Sequence, residues 1–187
     1  MGTKKINYII TFLSDWHAGS GLSSGADADS VVIKDKNNLP YLPGKTIKGL
    51  LKDVFEDFKD AQPSLINDEF IKSYFGKYIK ERKESHKGLL FFSNAELNEL
   101  EKSEISKDMS NLLYRNIAST KIGKNGVAEK GSLRTMQVCV PVVLEGYIDG
   151  VLETDVEKFE KALKCIRHLG ANRNRGLGRC KLEIKIN

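Results

Sequence analysis

Two carboxylates in the stretch GADADSVVIKD, Asp27 and Asp29, are the first groups along this sequence with an obvious chemistry. In an extended segment residues two apart share one side. The pair could therefore hold a hard divalent ion, Mg2+ or another, with phosphate oxygens completing its shell. Asp35 follows closely. The same spacing serves a turn equally well, because aspartate readily bonds its own backbone. His17, beside Trp16, is a candidate proton shuttle or phosphate contact, and equally a packing or hydrogen-bonding element. His86 and His168 have no acidic or cysteine companions, so a histidine-based metal site is not supported.

Cationic groups gather in two loop-like regions. Arg167 to Lys185 holds six Lys or Arg against one Glu, and Arg115 to Arg134 holds five against one. Within the first, LGANRNRGLGR supplies guanidinium forks, asparagine donors and glycines, a set suited to a phosphate backbone or to a solubilising turn. Gly176-Leu177-Gly178 precedes the final strand, the wrong context for a dinucleotide fingerprint. Gly44-Lys45-Thr46 resembles the end of a phosphate-binding loop, but Leu39 stands where the upstream glycine is needed. What remains there is a helix start carrying Lys45 and Lys48, able to receive one phosphate, or simply two solvated lysines.

These groups need a scaffold, and hydrophobic periodicity outlines one. Residues 5–13 read as a strand, followed by a long Gly/Ser/Asp-rich loop and a short hairpin turning at Asn37-Asn38. From Thr46, apolar residues at three- and four-residue steps predict a helix, with a shorter one around DEFIKSYFG. GLLFFSNAEL reads as a strand, and TMQVCVPVVLEGYIDG as one long strand bent at Pro141. Thr154 and Glu157 form a capping box for a helix on Val156, Phe159, Leu163 and Ile166 that Gly170 closes. CKLEIKI is the last strand. The order predicts an α+β, ferredoxin-like split β-α-β layout: one domain over 1–187, an antiparallel sheet with helices on one face, and long loop insertions.

Bulk properties fit a single globular domain. The chain has 187 residues, 40% hydrophobic and 29% charged, with a net charge of +5. Cys139, Cys165 and Cys180 are odd in number and lack a CxxC, which argues against a disulfide framework or a zinc site. MGTKK does not open a signal peptide and no stretch is long enough to span a membrane, so the expected location is cytoplasmic.

WHAGSG, ADSVVIKDKNNLPYLPGKTIKGLLK, GVAEKGSLR and GANRNRGLGR occur in an order that resembles the RAMP superfamily, the repeat-associated proteins of CRISPR systems, and within it the backbone subunits of type III effector complexes. The resemblance implies a modified RNA-recognition-motif fold and self-stacking into a filament along guide RNA. It also implies a thumb-like hairpin at about 115–134 that enters between guide and target. RNA contacts would fall to His17, Lys45, Lys48, Lys121, Arg134, Asn172, Arg173, Arg175 and Arg179. In many such proteins a loop aspartate supports metal-dependent cleavage of target RNA. Here Asp29 matches that position, with Asp27 as helper and Mg2+ or another divalent cation as cofactor. It could orient a metal-bound water or the attacking 2′-hydroxyl. Expected partners are guide RNA, target RNA and other effector subunits, with no membrane. The chain is short for this family, and 64–87 is too small for the lid of longer members. Two related readings stay open: a non-catalytic structural subunit, and a metal-independent endonuclease that processes precursor guide RNA. A protein–protein scaffold without RNA contact is a third class.

Overall fold

The computed structural model describes residues 2–21, 28–79, 84–105 and 109–185. Asp27 lies outside the described residues. The main sheet begins with β1 (Thr3–Phe12), where even-numbered Ile6, Tyr8, Ile10 and Phe12 are buried, the period-two pattern of a strand with one covered face. A short strand β2 (Tyr41–Leu42) leads into α1 (Gly44–Ala61), and α2 (Asp68–Phe75) packs beside it. A small hairpin, β3 (Lys77–Ile79) and β4 (Glu84–His86), precedes β5 (Phe91–Phe92), β6 (Ala95–Glu96) and a short α3 (Glu99–Glu104). A second hairpin is made of β7 (Tyr114–Ser119) and β8 (Arg134–Cys139). Then come β9 (Val143–Leu152), α4 (Val156–Cys165) and β10 (Cys180–Ile184).

The main sheet runs β10-β1-β9-β6-β2, with β5 also on β9, and every pairing is antiparallel. Counting β5 and β6 as one interrupted strand, the order is fourth-first-third-second with a helix after the first and third, the ferredoxin-like arrangement the sequence predicts. Ile47, Leu51 and Phe55 of α1 and Phe159, Ala162 and Leu163 of α4 cover one face. Tyr8, Ile10, Leu144, Ile148 and Leu182 of the sheet lie in the same core. Phe55 and Phe159 meet at 4.9 Å between ring centroids and join the two helices.

Four local expectations change. GLLFFSNAEL is not one strand: Ser93 N–H still donates to the Tyr147 carbonyl, but Tyr147 N–H donates to Ser93 Oγ and Gly44 N–H to Asn94 Oδ1, so side chains interrupt the ladder between β5 and β6. That break admits the start of α1, where any Cβ on Gly44 would strike the Phe92 and Ser93 carbonyls. The stretch around Pro141 is two strands in two sheets, β8 with β7 and β9 with β1, because proline has no N–H to continue a ladder. The capping box is absent. Asp155 precedes Val156 without capping the helix, its carboxylate instead accepting from Tyr74 Oη at 2.6 Å and Lys158 Nζ at 2.8 Å. The helix ends at Cys165, before Gly170.

Candidate nucleic-acid interface

The β7–β8 hairpin pairs from Tyr114↔Cys139 to Ser119↔Arg134 and stands apart from the main sheet. Segments that leave the core fasten its base. Trp16, buried and stacked on Phe12 at 4.4 Å, exchanges backbone bonds with Cys139. Arg115 Nε donates to Asp15 Oδ2 at 2.6 Å, and a second guanidinium nitrogen of Arg115 meets the same oxygen. Residues 29–30 run along β8: Asp29 N–H donates to the Thr135 carbonyl, Thr135 N–H donates to Asp29 Oδ2 at 2.8 Å, and Gln137 N–H donates to the Ser30 carbonyl. Burial pushes the Cys139 thiol up to about 12 and lowers Lys34, whose ammonium sits 3.8 Å from the centre of the Tyr114 ring.

The glycine-rich loop is tied to the same place. Asp15 carbonyl accepts from Gly178 N–H, and His17 carbonyl from Ala171 N–H. Gly170 (φ 89°) and Gly178 (φ 71°) are left-handed, and a Cβ on either would run into the backbone of His17 or Leu169. Both glycines are therefore used inside the protein, whereas Gly176 (φ 86°) faces open space. Between them Asn172, also left-handed, starts a 3-10 turn over Arg173–Arg175.

That turn joins three clefts. Arg173 lines one of about 390 Å³ with Lys45, Thr46, His17 and Ser20, at the N-terminus of α1. Arg175 lines a second, about 490 Å³, with Asp29, Ser30, Arg134, Asn172 and Leu177. Arg175 and Arg134 also line a third, about 460 Å³, with Lys121, Lys130 and Ser132 along the hairpin. Pro43 gives α1 no side-chain cap, Asn94 Oδ1 takes only the Gly44 N–H, and the first turn holds no acidic residue, so no carboxylate neutralises the positive end at the first cleft. Arg134, Arg173, Arg175, Arg179 and Lys45 are exposed, and among the described residues none of them is ion-paired. Lys121 is held by Glu129 at 2.9 Å.

The expected site residues thus fall into groups. Lys45, Lys121, Arg134, Asn172, Arg173, Arg175 and Asp29 line the three clefts. Lys48 is half-buried on α1 and Arg179 is exposed where the loop enters β10; neither is among the residues lining the three clefts. His17 is buried, both ring nitrogens bonded within the protein: Nδ1 to the Gln137 carbonyl at 2.6 Å and Nε2 to Ser30 Oγ at 3.0 Å. Asp29 Oδ2 is taken by Thr135. Among the described residues no three His, Cys, Asp or Glu gather to hold a metal ion. Sequence reasoning missed Asp15, Arg115 and Ser30. An acid just before a buried aromatic, WH preceded by D, was the one available signal for Asp15, and nothing local pairs it with a residue a hundred positions away.

The sequence matches the RAMP superfamily over residues 9–181. Among solved structures it is similar to a chain of Type III-B Cmr-beta bound to cognate target RNA, with a TM-score of 0.73 at 12% identity over 97% of each chain. A chain of Type III-B Cmr-beta in the apo state matches with a TM-score of 0.70 at 14% identity over 96% of each. At such identities the likeness is one of fold. No curated protein matches the chain.

Proposed function

The chain belongs to the RAMP superfamily, and from that premise we propose that it is an RNA-holding backbone subunit of a type III CRISPR effector complex, structural rather than catalytic. The observation that carries this is the Arg173–Arg175 turn: one cationic turn borders three clefts whose cations, Lys45 and Arg134 included, are open to solvent. A phosphate backbone asks for that arrangement, point charges and guanidinium forks in series along a track, with a helix N-terminus at one end. The fold it shares with a subunit seen in a target-RNA complex supports the same reading. Guide RNA and RNA target are the ligands, other effector subunits and further copies of the chain are the partners, and the cytoplasm is the compartment. Among the described residues no helix is long and apolar enough to cross a membrane.

Cleavage of target RNA through Asp29 is the second reading. It is favoured by one observation, that Asp29 lines the central cleft between Arg134 and Arg175. The described donor set does not by itself fit a resident divalent ion. Asp29 has one carboxylate oxygen left after Thr135, and the nearby Ser30 and His17 are bonded to each other. Phosphate oxygens and water would have to supply the rest of the shell.

The test uses the complex assembled with guide RNA. The variant R173A/R175A should lose guide and target affinity by about a hundredfold at moderate salt, with a shallower dependence on salt concentration. D29A should leave binding within a few-fold. Unchanged affinity in the arginine variant would overturn the RNA-holding reading. Regular cuts in the target that vanish in the aspartate variant would replace the structural reading with the catalytic one.

A further inference from the structure

We propose that His17 is a positioning residue, the keystone that holds the three segments of the RNA track in register, and that it does not itself touch RNA. The inference rests on the RNA-holding reading for its consequence, but its evidence is internal to the fold. A carbonyl can only accept, so the bond to Gln137 requires the proton on His17 Nδ1. Nε2 is then the acceptor, and Ser30 Oγ donates to it. The backbone of the same residue is occupied as well, its carbonyl receiving Ala171 N–H. One residue therefore bonds β8 of the hairpin, the Asp29–Ser30 segment and the glycine-rich loop. These are the elements that line the central cleft, β8 with Arg134, the segment with Asp29 and Ser30, and the loop with Asn172 and Arg175.

The surrounding motif WHAGSG serves that bond. Trp16 is sunk against Phe12 and fixes where the next residue emerges. The Ala18 carbonyl accepts from Ile33 N–H and so ties the segment to the stretch that follows Asp29 and Ser30. Gly19 supplies room: a Cβ there would stand 3.1 Å from His17 Nε2, on the atom that receives the Ser30 hydroxyl. Its φ is not left-handed, so the need for glycine at position 19 is steric rather than conformational. A histidine meant to contact phosphate would present Nε2–H to the cleft. Here Nε2 is a buried acceptor.

The test has an arm that needs no RNA. In the 15N-labelled full-length protein, the ring nitrogens of His17 should report Nδ1 protonated and Nε2 as acceptor, unchanged when a single-stranded RNA oligonucleotide is added. Binding of that fluorescein-labelled RNA is then measured against salt for four variants. G19A and S30A, which remove no cation, should each weaken binding about five- to tenfold without changing the salt slope. H17A, which also removes the bond to the Gln137 carbonyl, should weaken binding at least as much as S30A, and H17A/S30A should be no worse than H17A alone, because the Ser30 bond is already gone. H17Q, whose amide oxygen reaches toward Ser30, should recover part of the loss. R175A, the control, should lower the slope by about one. An Nε2–H tautomer, a ring signal that moves with RNA, G19A binding like the wild type, or additive H17A and S30A effects would each overturn the keystone. An unaltered R175A would instead strike at the RNA-holding reading and leave the tautomer result standing.

Discussion

Replacing Arg115 by alanine removes the cation bonded to Asp15, and the burial of the two partners predicts an uneven cost. The Asp15 side chain is 9% exposed, and that of Arg115 is 63% exposed. In Asp15→Asn the arginine turns to water, and the amide oxygen still offers a weak acceptor. The loss is then about 1 kcal/mol, in the range of a half-exposed pair. In Arg115→Ala a carboxylate stays buried at the base of the hairpin with its charged donors gone. The loss is then about 3 kcal/mol, mostly the penalty of an uncompensated charge. The double variant D15N/R115A should recover much of that, falling near 1 kcal/mol, because no buried charge remains.

The hairpin has its own two-stranded sheet, so part of this cost is paid by local opening before the core unfolds. Amide hydrogen exchange over 114–119 and 134–139 should therefore speed up more in Arg115→Ala than urea unfolding of the whole chain suggests. Exchange in β1 and β9 should track the global midpoint. If Asp15→Asn destabilises as much as Arg115→Ala, or if the double variant is worst of all, the asymmetry argument is wrong and the pair does not act as a buried anchor.

Gly178→Ala should cost about 3–4 kcal/mol in urea unfolding, since a left-handed φ and a collision with the Leu169 carbonyl act together. Gly176→Ala, with an equally positive φ but open space, should cost about 1 kcal/mol and keep RNA affinity. Asp29→Asn keeps an acceptor for Thr135 N–H and should leave the melting temperature unchanged, whereas Asp29→Ala should lower stability by about 1 kcal/mol. Burial raises the Cys139 and Cys180 thiols from about 9 to about 12, while Cys165 is exposed. Iodoacetamide at mildly alkaline pH should therefore label Cys165 alone until denaturant is added. Because the folded state holds these two protons more tightly, their contribution is fully present below pH about 9. It is lost as pH rises toward about 12, so the urea midpoint should be level below that window and fall through it.

The sheet and the two covering helices were legible in the sequence because their signal is local: alternate burial along Thr3–Phe12, and the three- and four-residue steps from Ile47 to Phe58. The cationic loop around Arg173 was legible from composition. What stayed hidden was every function that depends on distant partners. Pro141 marks the break in TMQVCVPVVLEGYIDG, but the segment on which the end of β8 lands, Trp16 against Cys139, is contained in no window of sequence. Asp155 reads as part of a helix start until Tyr74, 81 residues away, claims its carboxylate. His17, between Trp16 and Ala18, reads as a phosphate contact or proton shuttle and equally as a packing or hydrogen-bonding element, and sequence alone does not choose between them. Its neighbours in space, Gln137 and Ser30, come from the hairpin and the acidic segment.

The outer face of the sheet carries one more argument about where RNA goes. In RNA-recognition motifs the central strands present aromatics to stacked bases, and this sheet has the matching groups, Tyr147 on β9 with Phe91 5.9 Å away on β5. Here, however, Lys5 already sits 3.7 Å from the centre of the Tyr147 ring. The hollow beside it, about 550 Å³, is lined by Glu96, Glu99 and Glu145 with Lys102 and Lys185. Both lysines are spent on those acids, Lys102 on Glu96 and Glu99, Lys185 on Glu145. A phosphate approaching this face meets neutralised cations and a surplus carboxylate, whereas at the Arg173–Arg175 turn it meets unpaired guanidiniums. On the RNA-holding reading, electrostatics thus favours the loop edge of the fold over the sheet face as the path of the nucleic acid. Tyr147→Ala and Phe91→Ala should accordingly keep RNA affinity within about twofold, where loss of a stacked base would cost roughly 1–3 kcal/mol. A tenfold loss in either, at constant fold by circular dichroism, would return the sheet face to the RNA path.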